Sequence, residues 1–176
     1  MLSGGAARRL SGIAKPDLVV HGRTLLETAI AAARDAGAGT VVVVGPRRGS
    51  ADRCVREDPP GGGPVPALRR GLAEITDGWT ALLAADLPFL RGTHVAALLK
   101  AATGNGAVLA DDHDRPQWLA GCWRVSALRE ALAPYTGDSL RGLMRPLAPA
   151  LVRVDDGAWL DCDTESDVIR ARFPRP

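Results

Sequence analysis

Aromatic side chains make up only 4% of the 176 residues. So few rings cannot build the stacking platform by which single-stranded nucleic acid is bound. Charge of one sign is also missing. Lys and Arg total 22 against 20 Asp and Glu, a formal net charge of +2, too small for a nucleic-acid footprint. Three cysteines, Cys54, Cys122 and Cys162, are odd in number and far apart. They fit neither a disulfide framework nor zinc-ligand spacing, and they suit a reducing cytoplasm. No apolar run approaches the roughly 18 residues of a membrane span. The N-terminus lacks the basic stretch and apolar core of a secretory signal. There is no Gly-x-Ser-x-Gly elbow and no Cys/His pairing that requires a nucleophilic mechanism. His21 and His94 stand alone, without a partner at metal-ligand spacing.

Hydrophobic residues make up 46% and charged residues 24%, alongside 20 Gly and 13 Pro. The length suits a single domain over residues 1–176, which buries roughly 70% of its unfolded-chain surface. Strand and helix signals alternate, which predicts an α/β fold with a largely parallel sheet. Helices are expected at Thr24–Asp35, where Thr24 and Glu27 have capping-box spacing, and at Pro64–Ile75, Thr93–Ala102, Ser126–Leu132, Asp138–Leu147 and Thr164–Arg172. Strands are expected at Thr40–Val44, Thr80–Ala85, Ala107–Ala110, Gln117–Trp123 and Leu151–Val154. Only Met1 and Leu2 precede the first Gly-rich stretch, where a whole strand belongs.

Four segments can carry chemistry. The first runs Leu2-Ser3-Gly4-Gly5-Ala6-Ala7-Arg8-Arg9-Leu10-Ser11-Gly12-Ile13-Ala14-Lys15. Small residues let a backbone approach a polyphosphate, and successive N–H groups form an anion nest. Arg9 and Lys15 supply positive charge; the pattern is neither Walker A nor GxGxxG. The second is Asp86, directly after the run Leu82-Leu83-Ala84-Ala85. A carboxylate at the carboxyl end of a strand suits Mg²⁺, although a helix cap or turn is the competing reading. The third is Glu57-Asp58-Pro59-Pro60-Gly61-Gly62-Gly63-Pro64, where Asp58 can accept hydrogen bonds from a nucleoside and the glycines leading to Gly63 and Pro64 admit sugar or base. A plain surface loop is the alternative. The fourth is Trp159-Leu160-Asp161-Cys162-Asp163-Thr164. Asp161 and Asp163 share a face in an extended segment, and Thr164 is placed to cap the last helix. Asp111-Asp112-His113-Asp114 reads as a solvated turn, and the four tryptophans as core or pocket wall.

In this order, the four segments resemble the molybdenum cofactor guanylyltransferase family within the nucleotidyltransferase superfamily, over essentially the whole chain. The resemblance implies a three-layer α/β/α sandwich with a Rossmann-like, mixed, mostly parallel sheet whose first strand is truncated here. Residues missing ahead of Met1 would account for that truncation. It implies that Leu2, Ser3 and Gly4 lie along the nucleotide, with Gly5 in the phosphate turn. Arg9 and Lys15 would contact the phosphates, Asp58 the guanosine part, and Asp86 the Mg²⁺. The Asp161 and Asp163 segment would lie near the acceptor pterin. The chain departs from the family pattern at Ala14, which replaces an acid before Lys15, and at Pro16. Asp161 and Asp163 stand where asparagines are common, which favours a metal over a neutral hydrogen-bonding role, with Asp163 the expected metal ligand, and Glu165 stands where proline is common.

The expected reaction moves GMP from GTP to the phosphate of molybdopterin and releases pyrophosphate, with Mg²⁺ and without a strong base. A nucleoside triphosphate and a molybdopterin-type acceptor are the expected partners, with no nucleic acid and no membrane. An exposed strand edge allows a weak homodimer and requires none. The alternatives are cytidylyl transfer, transfer to a phospholactate or sugar phosphate, and an inactive nucleotide-binding protein.

Overall fold

The computed structural model of the chain describes residues 1–3, 9–10, 13–46, 50–76 and 78–172, with backbone alone at Arg9 and Leu10. In chain order, β1 (Arg9–Leu10) pairs with β2 (Ile13–Ala14), and β3 (Val19–Val20) with β4 (Arg23–Thr24). Then follow α1 (Leu25–Asp35), β5 (Val42–Val44), β6 (Arg53–Val55), α2 (Pro64–Leu72), β7 (Trp79–Leu83) and α3 (Gly92–Ala101). The chain ends with β8 (Gly106–Ala110), β9 (Pro116–Arg124), α4 (Val125–Leu132), α5 (Leu140–Met144), β10 (Ala150–Arg153) and α6 (Glu165–Arg172).

β10, β8, β9 and β7 form a four-stranded sheet in that order, and β5 pairs with β6. Leu2 joins the two, forming parallel bridges to Val44 and to Ala84. Its N–H donates to the Leu83 carbonyl at 3.0 Å, and the Ser3 N–H donates to the Val44 carbonyl at 2.9 Å. The sheet is mixed as expected: β10 runs parallel to β8 and β5 to β6, while β9 is antiparallel to both neighbours.

Period-2 alternation in the strands builds the layers. Val43, Leu83, Ala107 and Leu109 face one side, where Leu26 and Ile30 of α1 pack with Val95 and Leu98 of α3. Val42, Val44, Leu82 and Val108 face the other, against Val65 and Leu68 of α2, Val125 and Leu128 of α4, and Leu140 and Leu143 of α5. With both faces covered, the strands read as unbroken apolar runs, not as alternating ones.

Local signals set the ends of the helices. Thr24 caps α1 reciprocally with Glu27: the Glu27 N–H donates to Thr24 Oγ1 at 3.1 Å, and the Thr24 N–H to Glu27 Oε2 at 2.8 Å. α2 stops at Leu72, short of the expected Ile75, in a turn at Ala73 and Glu74; inside the helix, a Cβ on Gly71 would come within 2.9 Å of Val44. The expected helix over Asp138–Leu147 is shorter. Ser139 caps it through the Gly142 N–H at 3.0 Å, and Pro146 tightens its end into a 3₁₀ turn. The β3–β4 hairpin, not foreseen from the sequence, turns through His21 and Gly22, both with positive φ, as two-residue hairpin turns require.

The Met1 ammonium donates to the Val42 carbonyl at 2.7 Å, and burial pushes its pKa down to about 5. A cavity of about 370 Å³ opens beside it, lined by Met1, Val41 and Val42 on one side and Trp79, Ala81 and Leu83 on the other. Among the described residues, no helix is long and apolar enough to cross a membrane.

Candidate active site at the end of the central strands

β7 runs toward Asp86, which it delivers half-buried at its carboxyl end. The Cys162 N–H donates to the Asp86 carbonyl at 3.2 Å, tying the acidic segment to this strand end. Cys162 itself is fully buried against Leu18, Val20, Leu25, Val168 and Ala171, and burial pushes its thiol up to about 11. An apolar side chain between two aspartates works as an anchor. With Cys162 directed inward, Asp161 and Asp163 are left on the exposed side, as the alternation predicted.

The electrostatics of the cluster follow from this placement. Asp86 is raised above the ordinary carboxylate range by burial first, then by the charge of Asp161, with Asp163 adding to it. Asp161 is also raised, by burial and by Asp163. Lys15 opposes both shifts. Its ammonium pairs with Asp163 Oδ1, and its side chain is only 13% exposed. Three carboxylates against one ammonium leave the cluster with excess negative charge, which a divalent cation would relieve. The donor set therefore fits Mg²⁺, which is held by one or two carboxylates and completed by phosphate oxygens and water. Among the described residues no group of three or more His, Cys, Asp or Glu side chains is placed to hold a metal ion, so the cation would rest on one or two carboxylates.

Asp86 and Asp161 line a cleft of about 320 Å³ together with Pro64, Gln117, Trp118, Leu119 and Trp159. Pro64 opens α2, and Gly63 before it takes a φ of 96°, a conformation open to glycine. The structure thus brings together five of the residues singled out from the sequence: Lys15, Pro64, Asp86, Asp161 and Asp163. Leu2 is buried as a strand residue and serves the sheet. Ser3 bonds its hydroxyl to the Val44 carbonyl at 3.3 Å. The backbone of Arg9 pairs opposite Ala14, next to Lys15. Gly4 and Gly5 lie outside the described residues.

Asp58 is exposed and is not among the residues lining the cleft. Its neighbour Glu57 is buried, and Glu57 Oε1 accepts from the Gly61 N–H at 2.9 Å. Glu57 therefore organises the Gly-rich loop. Sequence reasoning missed this because burial of a loop carboxylate has no local signal. The same reasoning left Trp118 and Trp159 as generic wall residues.

Asp163 was expected to serve both metal and acceptor, and here it is engaged by Lys15. The Asp111 turn is as expected, with Asp111 accepting from the His113 and Arg115 N–H groups at 2.9 Å. Thr164 caps α6: the Asp167 N–H donates to Thr164 Oγ1 at 3.2 Å, and the Thr164 N–H donates to Asp167 Oδ2 at 2.8 Å.

Solved structures share this architecture. A nucleotidyl transferase from Methanothermobacter thermautotroptrophicus superposes with a TM-score of 0.79 at 21% identity, covering 97% of this chain and 93% of that one. Molybdopterin-guanine dinucleotide biosynthesis protein A from Archaeoglobus fulgidus gives 0.71 at 18% identity, over 97% and 94%. A 2-C-methyl-D-erythritol 4-phosphate cytidylyltransferase from Thermus thermophilus gives 0.69 at 21%, over 97% and 95%. The fold is thus that of the nucleotidyltransferases. More specifically, the chain belongs to the MobA-like NTP transferase domain family, whose model matches residues 1–154. A curated relative, the molybdenum cofactor guanylyltransferase of Acidiphilium cryptum (strain JF-5), is 36% identical over 138 residues, 72% of this chain and 66% of that protein.

Proposed function

We propose that the chain transfers GMP from GTP to the terminal phosphate of a molybdopterin-type acceptor, releasing pyrophosphate. The observation that carries this reading is the half-buried Asp86 at the end of β7, charge-coupled to Asp161, Asp163 and Lys15. Its support for GTP and molybdopterin is the 36% identity to a protein named molybdenum cofactor guanylyltransferase.

An acceptor phosphate oxygen is already anionic near neutral pH, so it attacks the α-phosphorus without a strong base. The oxygen–phosphorus bond forms in line as the bond to pyrophosphate breaks, and the leaving group carries away the electron pair. The work of the chain is positioning and charge compensation. Lys15 leaves Asp163 for the phosphates, and Arg9, on the neighbouring hairpin, adds positive charge. Ser3 would border the nucleotide, with Asp58 and Gly63 on the nucleoside side. Asp86 would hold Mg²⁺, joined by Asp163 once Lys15 has moved, and Asp161 would face the acceptor. The cation supplies charge compensation for the triphosphate.

The test is pyrophosphate release with Mg²⁺ and molybdopterin, offering GTP and CTP in separate reactions. Release with GTP alone is expected. Release with CTP alone, or silence with both, overturns the reading.

A further inference from the structure

The acceptor end of the cleft carries an observation that nucleotide chemistry does not use. Strand β9 slips out of register with β8 beside Asp86: Val108 pairs with Gly121, but the next residue, Leu109, pairs with Gln117. Trp118, Leu119 and Ala120 are therefore surplus against β8. On its other edge β9 stays bound, with Ala120 opposite Leu83 and the Ala84 N–H donating to the Leu119 carbonyl at 2.7 Å. Bulges of this kind re-aim side chains next to active sites. This one places Trp118 in the wall of the cleft that holds Asp86 and Asp161.

Trp159 lines the same cleft from the acidic segment, two residues before Asp161. Its indole N–H, like that of Trp123, is buried with no acceptor among the described residues, so it is the ring's place in the cleft wall that bears on ligand binding. In a chain with only four tryptophans, two stand in this one cleft. The other two are committed elsewhere: Trp123 is fully buried under α4, and Trp79 holds the Arg124 guanidinium at 4.9 Å from its ring centroid. The cleft's volume of about 320 Å³ is at the small end of ligand pockets. It suits a fused ring and not a whole nucleotide.

We infer that Trp118 and Trp159 form an aromatic clamp for a flat 2-amino-4-oxo heterocycle, the pterin ring of the acceptor, and so select a ring-bearing acceptor over a sugar phosphate. The inference rests on the proposed nucleotidyl transfer and specifies which side chains choose its acceptor. Asp161, in the same cleft, is the group able to accept from the amino and ring N–H donors of such a heterocycle. Guanine carries the same donor edge, so the test separates the two sources.

Binding of 6-hydroxymethylpterin and, separately, of GTP is measured by calorimetry on the intact chain. Quenching of the pterin's own fluorescence is followed in parallel. Trp118→Ala and Trp159→Ala are each expected to weaken pterin binding about 10- to 100-fold, the range for loss of ring stacking, with GTP affinity unchanged. Trp118→Phe keeps a stacking face and should retain most of the binding. It also guards against misfolding of the alanine variant. Trp79→Phe, on the surface, should change nothing. Pterin binding that is insensitive to Trp118→Ala and Trp159→Ala overturns the clamp. Weakened GTP binding with pterin unaffected assigns the cleft to the donor base and also overturns it. GTP binding without pterin binding refutes the clamp and leaves nucleotidyl transfer standing. Binding of neither ligand refutes both.

Discussion

Asp86→Asn is expected to move activity and stability in opposite directions. Ionised Asp86 in the native state stands against burial and against the charges of Asp161 and Asp163, with Lys15 as partial compensation. The raised pKa states that ionised Asp86 is less favourable in the native chain than in the unfolded one. A carboxyl whose folded pKa exceeds its unfolded value binds more protons when native, so stability falls as pH rises through that interval. Above both pKa values the penalty is present in full. Asparagine keeps the shape and removes the charge, so the folded state gains. Each ~1 kcal/mol relieved raises Tm by roughly 2–4 °C in a chain of this size. Turnover moves the other way. Losing one preorganised electrostatic contact to the reacting phosphates slows transfer by about 10²–10³-fold. The assay pairs calorimetric Tm at pH 7 with pyrophosphate release under saturating GTP and acceptor. A lowered Tm with undiminished turnover would refute the reasoning and return Asp86 to an ordinary turn or cap residue.

Lys15→Ala removes the ammonium that opposes the charge on Asp86 and Asp161. Transfer should fall by about 10²–10³-fold, and Lys15→Arg should recover part of it; steady-state kinetics of both variants decide. Thr24→Ala breaks the capping box of α1, which should lower stability by about 1 kcal/mol in denaturant titration while turnover is unchanged. The buried Met1 ammonium, with its pKa near 5 against an ordinary 8.0, makes stability rise as pH climbs between those values. An amine whose folded pKa is depressed binds fewer protons when native, so the penalty is complete below the folded pKa and gone above the unfolded one. Three units at ~1.4 kcal/mol each bound the effect at about 4 kcal/mol. A Tm that does not rise between pH 5 and 8 would show that the ammonium is hydrated.

Much of the fold was legible because its causes are local. Thr24 and Glu27 announce the start of α1 through a reciprocal hydrogen bond spanning three residues. Val42–Val44 and Trp79–Leu83 read as doubly covered strands because both of their faces are packed. The ends of α2 and α5 were overextended: α2 stops at Leu72, and α5 gives way to a 3₁₀ turn at Arg145–Leu147. The two short hairpins ahead of α1 escaped notice, being strands of two residues each.

The sequence by itself determined the alternation of strands and helices, the acidic residue at the end of β7, and the paired aspartates flanking Cys162. Each is written within a few neighbouring residues as periodicity, a cap or a spacing. Only the tertiary structure decided that Lys15 meets Asp163 across 148 positions and that Glu57, not Asp58, is buried beneath the Gly-rich loop. It also decided that the slipped register of β9 sets Trp118 beside Asp86. Burial, charge coupling and strand register are properties of segments distant in the chain, fixed when the two apolar layers close on the sheet.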